Sequence, residues 1–391
     1  MAASKGLAGV SNSVLQAALR DLQAEAYTNA RKFTGTGMVS GNSTIDVSTE
    51  TFVGQLRWEQ PLTGIYNVGS VTDATAGTKT YGSEEMLTYI KTTRAVGTDV
   101  KKLARVLTQK DGLSQFSRDQ TELRTQDEHN SILSVLRGVA IAEALTGTGT
   151  GGSGGQTFSN DPESATHGFY VDLGAGNLVG AQSATSQGAH RAEGILKAFG
   201  MGFKDYEPEY AYLVANPALM ADLRSANLVD ADRVADGNMD LETIFQGKFR
   251  LVKSRANMGL TSAEIAKLNL GSGTDITGTK LSYIVLPGAV AFKSLAVEDP
   301  VELGSDPSAY HGFGIKEMWT RWGYVAHPAG YTWFGKDDEF VGLRGYEQIW
   351  DPDTSGAWKQ LADTVAAPTK GVWKRKAKSA LTLGILPIFH A

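Results

Sequence analysis

The stretch YLVANPALMADLR, Tyr212 to Arg224, changes its period midway, and the rest of the chain is best read outward from that change. Tyr210 to Ala215 is a short, nearly continuous apolar run with the length of a buried strand. Asn216 and Pro217 follow it. An asparagine side chain accepts from the free amides of a helix's first turn, and proline, with no amide to leave unpaired, suits the first helical position. Leu219, Met220 and Leu223 then recur at helical spacing, so the strand is expected to run straight into a capped helix.

Upstream, Ser117 to Leu145 reads as the longest helix. Ile132, Leu133, Leu136, Val139, Ala140 and Ala144 fall on one face, and Arg118, Asp119, Glu122 and Arg124 mark a polar start. It ends at GTGTGGSGG, residues 147–155, a glycine tract that cannot continue a helix and is read as a flexible link. Before it, Phe52 to Val100 is rich in Thr, Val, Ile and Tyr and broken at Gly64, Gly69, Gly77 and Gly82, the pattern of extended β structure with a long excursion. Val14, Leu15, Ala18, Leu19, Leu22 and Ala26 predict an amphipathic helix over residues 11–32, whose apolar stripe needs a surface to cover it. The polar stretch GTGMVSGNSTIDVSTE separates the two. Downstream, Ile195, Leu196 and Phe199 indicate a short helix, and Thr243 to Ser254, Tyr283 to Phe292 and Ile315 to His327 read as strands. Helices and strands are segregated without βαβ alternation, so the fold class is α+β.

Composition narrows the function. A chain of 391 residues holds two or three compact regions, and 41% hydrophobic with 20% charged residues is an ordinary folded composition. The absence of cysteine removes disulfides, thiolate metal sites and cysteine nucleophiles together. A formal net charge of −5 offers no footprint for reading a nucleic-acid sequence. No apolar run approaches the ~18 residues that would span a bilayer, and the N-terminus MAASKGLAGVSNSVLQAALRDL lacks a signal core. A product with no membrane association, no export signal and no N-terminal processing is expected.

The search for chemistry returns little. Gly151-Gly152-Ser153-Gly154-Gly155 fits G-x-S-x-G, but a nucleophile elbow needs a strand before it and a helix after it, so a linker is the better reading. Ala76-Gly77-Thr78-Lys79-Thr80 lacks the order of a phosphate loop. His129, His167, His190, His311, His327 and His390 stand singly and are expected to be solvated or hydrogen-bonded structural residues. The carboxylate run Asp337, Asp338 and Glu339 is expected to face water. Lys374, Arg375, Lys376 and Lys378, after Trp373, form the one dense basic patch, read equally as a solvated tail or as a contact to nucleic acid or to an acidic neighbouring surface. Trp319, Trp322, Tyr324, Tyr331, Trp333 and Phe334 gather aromatic area suited to a core or a subunit interface. No catalytic residue, cofactor site or metal site is assigned.

Four stretches, taken in order with the parts around them, resemble a known family: FVGQLRW at Phe52 to Trp58, NSILSVLRGVA at Asn130 to Ala140, YLVANPALMADLR itself, and RWGYVAHPAGYTW at Arg321 to Trp333. Together they are similar to the major capsid proteins of tailed bacteriophages with the Hong Kong 97-type fold. The resemblance implies an N-terminal arm with its helix over residues 1–51 and an extended β loop over 52–104. It further implies a peripheral domain with a spine helix and glycine-rich insertion over 105–225, a mainly axial domain over 226–300, and a return to the peripheral domain with a C-terminal tail over 301–391. It also implies a virion shell built from pentamers and hexamers of this chain. The further partners implied are portal, scaffolding and cement or decoration proteins, and packaged DNA held by non-specific contact. Candidate inter-subunit contacts are Leu15, Leu19, Leu22, Tyr81, Tyr89, Trp373, Lys374, Arg375 and Lys376. Three other readings are an encapsulin-like nanocompartment, another virion component such as a tail tube, and a hydrolase using Ser153 or the acids around Asp337. No covalent cross-link through Lys79 or Lys91 is expected.

Overall fold

One long strand, Ile315–Pro328, is the organising element of the fold, alternating between buried and more exposed residues over 317–322 and buried on both faces from there to its end. The computed structural model describes residues 12–29, 33–41, 45, 53–59, 84–101, 112–146, 171–172, 195–196, 199, 208–237, 239–254, 259, 280–306, 308, 315–334, 372–375 and 383–390. In chain order these hold α1 (Asn12–Asn29), a 3-10 turn (Phe33–Gly35), β1 (Val39–Ser40), β2 (Val53–Glu59), β3 (Glu84–Ile90), β4 (Thr92–Lys101) and α2 (Gly112–Thr146). Then come β5 (Val171–Asp172), β6 (Ala211–Ala215), α3 (Pro217–Ser225), β7 (Val229–Asp236), β8 (Met239–Ile244), β9 (Phe249–Lys253), β10 (Lys280–Val285), β11 (Val290–Leu295) and β12 (Val301–Asp306). Last are β13 (Ile315–Pro328), β14 (Tyr331–Phe334), β15 (Val372–Arg375) and β16 (Ile385–His390). The α+β class holds.

Strand β13 pairs with β4 along one edge, from Tyr324↔Thr92 to Ile315↔Lys101. Its other edge takes two strands end to end, β11 opposite Gly323 to Pro328 and β12 opposite Ile315 to Thr320. With β1 beyond β11, this makes a five-stranded sheet. Even-numbered residues of β13, among them Met318, Thr320, Trp322 and Tyr324, are buried beneath the helices. There α1 packs Leu19 onto Val301 and Met318.

Helix α2 supplies Ile132, Leu133, Val135, Leu136, Val139 and Ala140 to the main core. Several of its polar residues are tied to distant parts of the chain. Asp127 accepts from Trp322 Nε1 at 3.1 Å and from Tyr324 Oη at 2.8 Å, and pairs with Arg94 of β4 at 3.4 Å. Glu128 accepts from Tyr27 of α1, whose ring lies 3.9 Å under the Arg124 guanidinium. Glu143, fully buried, accepts from Tyr331 at 2.8 Å and from Arg375 at 2.9 Å. Such groups stay buried because their bonds replace the water they lost.

The second sheet runs β5-β16-β10-β6-β9-β8-β7, and its strands come from the expected segments 105–225, 226–300 and 301–391 alike. Strand β6 and helix α3 follow the expected pattern. Asn216 caps α3, its Oδ1 accepting from the Ala218 amide at 3.0 Å, with Pro217 in the first turn. Two expected strands prove to be pairs. Thr243 to Ser254 contains a turn, because Phe245, Gln246 and Gly247 all have positive φ (55°, 58° and 84°), and β8 folds back on β9. Tyr283 to Phe292 breaks at Leu286–Ala289, where Pro287 has no amide to give a ladder and Gly288 has φ 73°. There β10 ends in one sheet and β11 begins in the other.

Candidate assembly surface

Strands β3 and β4 are separated by Lys91 alone, so the β4 edge of the five-stranded sheet runs on into a two-stranded limb, β2 with β3. The limb folds back over the odd-numbered face of β13. Leu56, Leu87 and Tyr89 close over Val325 and Ala291, and with Ile45 they form a second, sealed cluster. Tyr89 is directly opposite Gly54, and a β-carbon placed on Gly54 would lie 2.2 Å from the tyrosine ring. The ring therefore lies flat on the glycine backbone, a packing that only glycine permits.

Nearer its start, the same odd-numbered face is bare. Trp319 is 42% exposed, directly opposite Gly97 of β4 on one side and Glu302 of β12 on the other. A β-carbon on Gly97 would come 2.7 Å from the indole, so this ring too lies on a cross-strand glycine. Glu317 and Arg321 flank it on β13, and Arg321 donates to Glu302. The result is an exposed aromatic platform with a charged rim, the composition of an interface centre and its surround. On the limb, Met86 is 53% exposed directly opposite the exposed Arg57.

The structure redistributes the expected contact residues. Leu19 and Tyr89 are buried within their own chain and Leu22 half so. Trp373 is fully buried, with its ring 5.3 Å from those of Trp333 and His327. The expected basic tail is not a solvated patch at Arg375, whose side chain is 4% exposed and held by Glu143. Lys374 lies on β15 opposite Thr332. Leu15 lies on α1. Tyr81, Lys376, Lys378, Lys79, Ser153, the glycine tract and the acids at 337–339 lie outside the described residues. The sequence reading missed Trp319 as an individual, having grouped it with Trp322 and Tyr324. Its odd position on β13 was the available signal.

No group of three metal-binding side chains occurs among the described residues, and no helix there is long and apolar enough to cross a membrane. Ser282 Oγ is 2.9 Å from His390 Nε2, but both are buried and the serine oxygen also accepts from the Asn216 amide at 3.0 Å. The buried pair ties β10 to β16. His327 is not solvated: its ring is fully buried, with the Tyr331 backbone beside it. Burial holds its imidazole down at about 4, against a weaker upward pull from the Tyr331 backbone. Burial also pushes up the Tyr324 and Tyr331 hydroxyls, with Asp127 and Glu143 beside them adding to the effect.

No protein-family model matches the chain, and no curated protein matches it. Solved structures similar to it include phage capsids. The capsid of Ralstonia phage GP4 is 10% identical over 76% of this chain and 84% of that chain, with a TM-score of 0.45. That of cyanophage P-SCSP1u is 11% identical over 90% of each chain, with a TM-score of 0.41. The bacteriophage PhiM1 mature capsid is 13% identical over 76% of this chain and 85% of that chain, with a TM-score of 0.41. Likenesses of this size leave what the present chain does to its own residues.

Proposed function

We propose that the chain is a shell subunit, a major capsid protein that works by assembling with copies of itself and not by catalysis. The observation that carries the reading is the odd-numbered face of β13. Its own limb seals it at Val325 and leaves it open at Trp319, while the limb turns Met86 and Arg57 outward. A two-stranded limb has little stability of its own, and an aromatic platform gains most when water is excluded from it, so each favours contact with another copy. The sequence resemblance supplies the form of the assembly: pentamers and hexamers closing into an icosahedral head that encloses double-stranded DNA. Residues 1–51 and 52–104 serve as arm and loop, and portal, scaffolding and cement proteins complete the particle. Contact with DNA is non-specific, since a net charge of −5 gives no basic footprint for reading a nucleic-acid sequence.

The test is electron microscopy of the full chain, expressed alone and with its neighbouring genes, after sizing by light scattering. Closed shells or five- and six-membered rings are expected. A monodisperse monomer or dimer under both conditions overturns the reading, and shells filled with an enzyme in place of DNA move it to a nanocompartment.

A further inference from the structure

The two sheets are joined directly by Leu286–Ala289, the four-residue connection between β10 and β11. Gly288 gives it a left-handed φ of 73° with nothing closer to a would-be β-carbon than Ser40 Cβ at 3.7 Å, and Leu286 and Ala289 on either side are buried in the main core, so the connection is a tight turn between the sheets. A second tie spans the same gap. The Gly37 amide donates to Asp236 Oδ1 at 3.0 Å, at the end of β7 in the seven-stranded sheet. The Gly37 carbonyl accepts from the Gly288 amide at 2.9 Å, and two residues later β1 pairs in parallel with β11 of the five-stranded sheet. One peptide segment thus donates to one sheet and accepts from the turn that joins it to the other.

Neither anchor tolerates looseness. Asp236 is held from behind by the Tyr212 hydroxyl and by Arg250 at 2.9 Å, with the Arg250 guanidinium lying 3.7 Å over the Tyr210 ring. A β-carbon on Gly237 would meet the Gly35 carbonyl oxygen at 2.1 Å, and one on Gly37 would meet the Tyr212 hydroxyl at 2.7 Å. Met38, fully buried, fixes the segment from inside.

We infer that residues 33–41 are a latch across the turn that joins the two sheets, with Asp236 as the catch: while Gly37 is held, the turn at Gly288 is held with it. The inference stands whether or not the chain builds shells.

Because coupling between two sites is reciprocal, it is tested from both ends by hydrogen exchange on the full chain, with the core of α2 as the control for global folding. Asp236→Ala is expected to speed exchange about tenfold in 33–41 and equally in 286–290, a segment it does not touch. Gly288→Ala, strained at its φ but free of clashes, is expected to speed exchange in the segment around Asp236 and Gly237. Should Asp236→Ala fail to fold, Asp236→Asn keeps an acceptor for Gly37 and gives the same pattern at smaller amplitude. Faster exchange confined to the mutated end, in either direction, overturns the latch.

Discussion

Two aromatic rings in this molecule rest on glycines across a strand pair, Tyr89 on Gly54 and Trp319 on Gly97, and their surroundings differ completely. Tyr89 is 1% exposed, roofed by the cluster of Ile45, Leu56, Leu87, Ala291 and Val325. Trp319 is 42% exposed on the same side of the sheet that Tyr89 covers farther along. The same local device therefore serves two ends. Where the chain supplies a roof, the pair contributes to stability. Where it supplies none, the pair presents a flat apolar area to something else. Burial, and not the pairing, decides which.

The contrast can be broken hardest at Tyr89. Removing a large sealed aromatic leaves a cavity, so Tyr89→Ala is expected to cost about 3–5 kcal/mol in urea unfolding. A loss below that of Trp319→Ala would erase the distinction.

His327 lies on the same odd-numbered face and is sealed like Tyr89. Its imidazole is held near 4, whereas an unfolded chain binds that proton near 6.5. Between those values the unfolded state carries more protons, so stability falls as pH falls from about 6.5 through 4, by on the order of 3 kcal/mol from this group. His327→Leu should flatten that part of the stability–pH curve relative to the parent protein, and an unchanged slope would show that the ring is not sealed.

The glycines sharpen the comparison further. Gly54→Ala drives a methyl into a ring that has nowhere to go and is expected to cost about 1–3 kcal/mol. Gly97→Ala meets a ring that can swing into water and is expected to stay within about 0.5 kcal/mol. The difference between their unfolding midpoints is the measurement. Trp319→Ala has little effect on the isolated subunit, within about 1 kcal/mol, while lowering the yield of shells counted by electron microscopy. Unchanged yield would remove Trp319 from the assembly surface.

Local signals in the sequence carried the local structure. Asn216-Pro217 capped its helix as read, and the periodicity of Ile132 to Ala140 identified the buried face of α2. Pairings between distant segments were not legible. Nothing near Arg375 in sequence announces Glu143, which lies 232 positions away, so four closely spaced basic residues read as a patch when one of them is an internal ion partner. Tyr283 to Phe292 looked like one strand because apolar residues flank Pro287 and Gly288 on both sides, and only the fold shows them parting into two sheets. At the candidate surface, composition marked the aromatic region, but which ring faces out is set by strand parity, with Trp319 and Trp322 three residues apart on opposite faces.

The place of β16 inside the seven-stranded sheet has a consequence in time. Val285 and Ile385 are directly paired yet 100 residues apart, and β16 separates β10 from β5. At a translation rate of roughly 5–20 residues per second, β10 waits on the order of 5–20 s for its neighbour after leaving the ribosome. For that interval a strand whose residues Leu281 to Val285 end up wholly buried presents an unpaired edge. Synthesis is thus the period of greatest exposure to unwanted pairing, and slowing translation between these strands should cost more soluble protein than slowing it elsewhere.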